Sequence, residues 1–282
     1  MKTVKLVAAL LMVAMCVGIV SCSKDEPGDG VFNGKRVTKI VHKYDDFVRT
    51  EEFSYLGDKL VHIGAYYDDY TDRLEYDLTI TYKNNQVIME GVADGYDAVF
   101  TYTLSSNGYA TSCEGEIREG NRIEKENHKF EYSSDGYLTK IIGLTEESYG
   151  TETETREFTV NLTYAKGNLV SAREDYNRHS DFSNITYTNI ENKGNLLFYH
   201  GALFIGDSDA YLALYTGILG KFSKNLVSGY TFTDSDENSS YTSNHTYSYT
   251  LDDEGYPVML KETSTSSSGD DTYSETYIYT FE

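Results

Sequence analysis

The chain has 282 residues, with 24 Lys and Arg against 45 Asp and Glu, a net charge of −21, and it includes 27 Tyr and 12 Phe but no Trp. A surface this acidic repels phosphate backbones, which disfavours nucleic-acid partners and favours cations or basic ones. So many large buriable rings exclude a disordered chain.

Residues 1–21 read as a secretory signal. Lys2 and Lys5 precede an apolar run from Leu6 to Val20, and about 15 apolar residues are too few for a spanning helix, which needs about 20. The run ends at Ile19-Val20-Ser21-Cys22, which resembles a bacterial lipobox, in which the cysteine is lipidated and becomes the new N-terminus. Cys22 is thus the expected lipidation site and the expected membrane attachment; the alternative is an ordinary signal with an incidental cysteine. Loss of the signal removes two lysines and moves the net charge to −23. It also removes Cys16, and with Cys22 lipidated only Cys113 remains, so no intramolecular disulfide can form. Lys24, Asp25 and Glu26 then resemble the export signal by which lipoproteins of the Bacteroidota are flipped to the outside of the outer membrane. The plainer reading is a polar tether, since Pro27, Gly28, Asp29 and Gly30 continue in linker composition. Under either reading residues 22–34 form a tether and residues 35–282 a single domain.

From there the chain repeats itself. Phe53-Ser-Tyr55 precedes Gly57-Asp58, Ile80-Thr-Tyr82 precedes Asn84-Asn85, and Phe100-Thr-Tyr102 precedes Asn107-Gly108. Phe130-Glu-Tyr132, Leu162-Thr-Tyr164, Ile185-Thr-Tyr187 and Tyr247-Ser-Tyr249 stand likewise before Asp135-Gly136, Lys166-Gly167, Lys193-Gly194 and Glu254-Gly255. An aliphatic residue often follows the turn, as at Leu60, Val87, Leu138, Leu169 and Leu196. Alternation at period two marks a strand with one buried face. Asn-Gly and Asp-Gly accept the positive φ at which a hairpin reverses. Each copy is therefore a β-hairpin. Successive turns at 57, 85, 108, 136, 167 and 194 are 23 to 31 residues apart, room for two strands and two turns.

The next interval, from 194 to 255, is 61 residues, about double. Within it Asp209 to Gly220, DAYLALYTGILG, begins with an acid and ends at a glycine, which predicts a short helix. Its interior is apolar nearly all round, so it must be covered on most sides, as a plug or lid against the sheet. With flanking strands at Lys35–Lys43 and Tyr273–Phe281, the count is 14 to 16 antiparallel strands. An open sheet of that width would curl or split and would expose its edges. The expected fold is all-β: an up-and-down meander closed into a barrel or a flattened, barrel-like sheet, its first and last strands paired.

The hairpin pattern, the lipobox and the inserted LYTGILGKFSKNLVS stretch at 214–228 together resemble a family of Bacteroidota lipoproteins described as a domain of unknown function with a porin-like fold. The resemblance covers about 35 to 282 and implies a fold and a location, with no known activity and no functional residues. Units such as YSSDGYLTKI are also similar, over a short span, to the tyrosine-aspartate repeats of Rhs-type shells.

A porin-like fold need not cross a membrane. Segments such as 151–157 (TETETRE) and 118–126 (REGNRIEKE) would place charges in a lipid-facing band, so the barrel is expected to be water-soluble and to hang from its lipid. No cofactor and no metal site is expected. The six histidines are scattered without metal-ligand spacing, and the acidic clusters at Asp68–Asp72 and Asp234–Asn238 read as solvated loops. Cys113 reads as a buried, inert thiol. No G-x-S-x-G elbow occurs, glutamates are too numerous to single out a pair, and enzymatic activity is not expected. Two roles remain. One is a surface module binding nutrients such as glycans; the other is a structural or protein-interaction lipoprotein of the envelope. Absence of Trp and the burial expected of most tyrosines weigh against the first.

Overall fold

Ribbon follows ribbon in the computed structural model, which describes residues 34–45, 47–67, 74–93, 95–175, 179–196, 209–235, 239–266 and 272–282. The first eight strands are β1 (Val37–Tyr44), β2 (Phe47–Leu56), β3 (Lys59–Tyr67), β4 (Leu74–Lys83), β5 (Gln86–Ala93), β6 (Tyr96–Leu104), β7 (Ala110–Glu119) and β8 (Arg122–Tyr132). The second eight are β9 (Leu138–Tyr149), β10 (Glu152–Ala165), β11 (Asn168–Asp175), β12 (His179–Glu191), β13 (Asn225–Ser235), β14 (Ser240–Leu251), β15 (Pro257–Ser266) and β16 (Thr272–Phe281). Each is antiparallel to its neighbours in sequence, and β1 closes on β16 with His42 opposite Tyr277. The result is a closed up-and-down barrel of sixteen strands, an arrangement that leaves no sheet edge unpaired. The expected signal at 1–21, Cys22 and the expected tether through residue 33, together with 68–72 and 236–238 of the acidic clusters, lie outside the described residues.

Because one repeat spans two strands, every repeat turn falls at the same end of the barrel. The turns Ser105–Tyr109, Ser133–Tyr137 and Asp252–Tyr256 share one design: the first residue's N–H donates to the fifth carbonyl, and the glycine N–H donates back to the first carbonyl. Those glycines, at positions 108, 136 and 255, have φ of 83°, 85° and 86°, a region L residues avoid.

The repeat tyrosine has a structural cause. Beside these turns the ladders carry β-bulges, and the residue before the extra one has its carbonyl turned out of register. Tyr55 Oη donates to Val37 O (3.1 Å), Tyr82 to Leu60 O (3.1 Å), Tyr187 to Leu169 O (2.6 Å) and Tyr249 to Val227 O (2.8 Å). Each acceptor directly precedes the extra residue of a bulge, Thr38, Val61, Val170 and Ser228 respectively. Every such hydroxyl thus satisfies a carbonyl on the adjacent, preceding strand, at the bulge where that strand meets its other neighbour, and so ties successive repeats together. Burial raises the hydroxyls of Tyr55, Tyr82 and Tyr187 to about 12.

The insertion differs from expectation in kind and extent. It forms a 3-10 helix at Asp209–Thr216, and Gly217, at φ 78°, ends it before Gly220 is reached. Downstream the chain walks across the turn end. Ile218 O accepts from Ala110 N, Lys221 N donates to Gly136 O and Lys224 N to Gly167 O, each at 2.9 Å. Ala213, Leu214, Ile218 and Leu219 are buried in the barrel, and the Tyr215 ring lies 4.5 Å from that of Phe53 on β2. A cavity of about 60 Å3 remains beneath this cap, reached by Leu138 of β9 and by Tyr279 of β16.

Outward-facing positions carry many charges among scattered apolar residues such as Val99 and Ile142. Glu52, Asp77, Glu90, Glu114, Lys125, Lys129, Glu157 and Lys261 are all exposed well within their strands. A lysine at the midplane of a lipid-facing barrel costs about 2–4 kcal/mol and an acid somewhat less, so this wall suits water. Among the described residues no helix is long and apolar enough to cross a membrane.

Candidate functional site

Strand alternation sends every second side chain into the barrel, and the interior changes character along its length. Near the capped end the inward positions are Leu, Ile, Phe and Tyr, among them Leu60, Ile63, Phe53 and Leu138, all buried. Toward the far end the same alternation delivers charge. Arg49 and Glu51 follow Phe53 inward on β2, Glu126 and His128 follow Phe130 on β8, and Ser243 and His245 follow Tyr247 on β14. Arg49, Glu51, Glu126, His128, Glu174 and Glu262 are all at least 90 % buried, between 1 and 8 % exposed.

Two groups within this belt are built alike. On one, His42 Nε2 lies 2.8 Å from Glu275 Oε2, Tyr277 Oη donates to the same oxygen at 2.7 Å, and the His42 ring stacks on Tyr277 at 4.2 Å and 7°. On the other, His245 Nδ1 lies 2.6 Å from Glu262 Oε1, and the imidazole stacks on Tyr230 at 4.3 Å and 5°. The two meet, because Glu262 stands directly opposite Glu275 in the β15–β16 ladder. His42 is in turn opposite Arg49 of β2, which holds both Glu51 and Glu75. Like charges opposed in a sheet repel, and each of the two opposed carboxylates is held by hydrogen-bonding partners, Glu262 by His245 and Glu275 by His42 and Tyr277.

Glycines make room for rings in this half. A Cβ on Gly143 would sit 2.1 Å from Cζ of Phe158, and one on Gly115 would sit 2.8 Å from Phe100. Around the far rim, Phe47, Tyr149, Tyr241 and Tyr273 are exposed, the most open being Tyr149 at 69 %. The chain enters β1 at the opposite, capped end.

The sequence-predicted site residues Cys22, Lys24, Asp25 and Glu26 lie outside the described residues. Cys113 is a free, buried thiol on β7, and burial pushes its pKa well up. The histidines, scattered in sequence, are partly gathered: His42 and His245 share the belt, while His62 faces out beside Asp77. His200 and the side chain of His179 lie outside the described residues. Among the described residues, no group of three or more His, Cys, Asp or Glu side chains is placed to hold a metal ion. The inward charges escaped the sequence reading, although for Arg49, Glu51, Glu126, His128 and His245 the signal was present: each stands two or four residues before an apolar-x-Tyr unit, in phase with it; Glu174 and Glu262 carry no such mark.

Residues 58–259 match the family model of a domain of unknown function (DUF4595) with porin-like fold. The barrel is similar to the crystal structure of a porin-like protein from Bacteroides uniformis, with a TM-score of 0.61 and 22 % sequence identity over 87 % of this chain and 98 % of that one. No curated protein matches the chain.

Proposed function

This chain belongs to the DUF4595 family of porin-like domains of unknown function, and from that premise we propose that it is an outer-membrane lipoprotein, moored through Cys22 and facing the cell exterior, that binds glycan nutrients at its far mouth. The observation that carries the reading is the polarity of the barrel: the tether enters at the capped, apolar end, and the exposed rings of Tyr149, Tyr241 and Tyr273 stand at the other. The thirteen residue steps from Cys22 to Lys35 reach at most roughly 45 Å, enough to hold the domain clear of the headgroups with its mouth outward. Tyrosine faces stack on sugar rings, and inward carboxylates accept hydrogen bonds from sugar hydroxyls. The acidity of the chain selects neutral or amino-bearing sugars over acidic ones.

A glycan array probed with residues 34–282 tests this. Saturable binding that falls about tenfold in Tyr149→Ala or Tyr241→Ala supports it. No retained glycan, with an envelope protein co-purifying instead, replaces it with the structural role.

A further inference from the structure

On the inner face of β14, Ser243 and His245 stand two residues apart, with Glu262 of β15 beside them. Ser243 Oγ lies 2.7 Å from His245 Nε2, and His245 Nδ1 lies 2.6 Å from Glu262 Oε1. An ionised carboxylate only accepts hydrogen bonds, so Glu262 fixes the N–H on Nδ1 and leaves Nε2 of the neutral imidazole to accept the serine proton. Tyr230, stacked 4.3 Å away at 5°, holds the imidazole in that plane. Serine, base and orienting acid are thus connected through the atoms that a hydrolytic triad uses. Ser243 is itself buried, at 3 % exposed, and lies two residues inward from exposed Tyr241, roughly 7 Å along the strand.

We propose that Ser243 is a nucleophile, activated by His245 and oriented through Glu262, that is acylated by activated carboxylic esters entering the far mouth. Its Oγ bonds to the ester carbonyl carbon while the hydroxyl proton passes to His245 Nε2. Collapse of the tetrahedral adduct breaks the ester C–O bond, and the departing alkoxide takes the proton from Nε2 and leaves as an alcohol. Ser243 is paired with Phe232 on one side and Ser266 on the other, so its backbone lies within two ladders and its amide lies in the sheet plane, away from the reacting carbonyl. Without amides aimed at the developing oxyanion, the second step is slow, and the acyl-serine accumulates. The event is covalent capture in place of turnover, and it does not rest on the glycan reading.

The test uses the full chain in detergent, treated separately with p-nitrophenyl acetate and with a fluorophosphonate, followed by intact mass and peptide mapping. One adduct per chain is expected, on Ser243. Ser243→Ala abolishes it with the melting temperature and circular dichroism preserved. His245→Gln slows it at least about 100-fold, the scale of general-base assistance. Wild type that stays unmodified, an adduct that persists in Ser243→Ala, or a His245→Gln variant reacting at the wild-type rate overturns the proposal.

Discussion

Replacing tyrosine by phenylalanine at the bulges isolates one atom of the repeat. Tyr249 Oη donates to Val227 O at 2.8 Å, and the ring is otherwise packed against the core. Removing the hydroxyl leaves that carbonyl without its partner while preserving the ring, a cost of about 1 kcal/mol and up to about 3 if water cannot reach it. Equivalent bonds exist at Tyr55, Tyr82 and Tyr187. Tyrosines of successive hairpins stand two strands apart, roughly 9–10 Å, so their losses should add. The fourfold Tyr→Phe variant should therefore lose about 4 kcal/mol. For a domain of this size, about 2–4 °C per kcal/mol makes that a melting-temperature drop of roughly 8–16 °C. Urea denaturation with an unchanged m-value is the assay, since the surface exposed on unfolding stays the same. A fourfold variant within about 1 kcal/mol of wild type would refute the view that these hydroxyls bind repeat to repeat.

Other expectations follow from the same interior. Tyr55, Tyr82 and Tyr187 ionise at about 12 in the fold and at about 10 when unfolded. The native state therefore holds more protons between those values, and stability that is complete below pH 10 declines as the pH rises toward 12; denaturation midpoints across that range check the sign. Gly143→Ala drives a Cβ into the Phe158 ring and should cost about 1–3 kcal/mol, recovered in a Gly143→Ala, Phe158→Leu double variant. Cys113 should react with a thiol reagent only as the barrel unfolds, with a rate that tracks urea concentration. Alanines at Lys24, Asp25 and Glu26 should protect the domain from protease added to intact cells, whereas shaving that leaves wild type untouched disproves export.

Closure was readable from the chain because hairpin physics is local. The apolar-x-Tyr alternation, the Gly-bearing turns and their regular spacing each demand a ribbon, and the pairing of Val37 to Tyr44 with Glu275 to Phe281 follows once sixteen ribbon strands have no edge to spare. The charged mouth was harder to see, since Arg49, Glu51, Glu126 and His245 are residue types that ordinarily face water. Only their phase with Phe53, Phe130 and Tyr247 places them inside. Glu262 and Glu275 are equidistant from the turn of one hairpin, so register alone could have brought them together. The meeting of His42 with Tyr277 depends on barrel closure, and the distances within the Ser243, His245 and Glu262 group depend on rotamers, which no spacing encodes. At the insertion, apolar composition revealed burial but could not distinguish a 3-10 helix from an α-helix, because eight residues closed by Gly217 are too short for period to decide.

The orientation of the barrel on its anchor is the claim on which the functional account turns. With the lipidated protein in vesicles, a fluorophore placed by Leu56→Cys at the capped end or by Tyr149→Cys at the far rim can be challenged with headgroup-quencher lipids. Strong quenching at position 56 and little at position 149 is the expected result. Equal quenching at both, or more at 149, would mean that the charged mouth does not face away from the membrane.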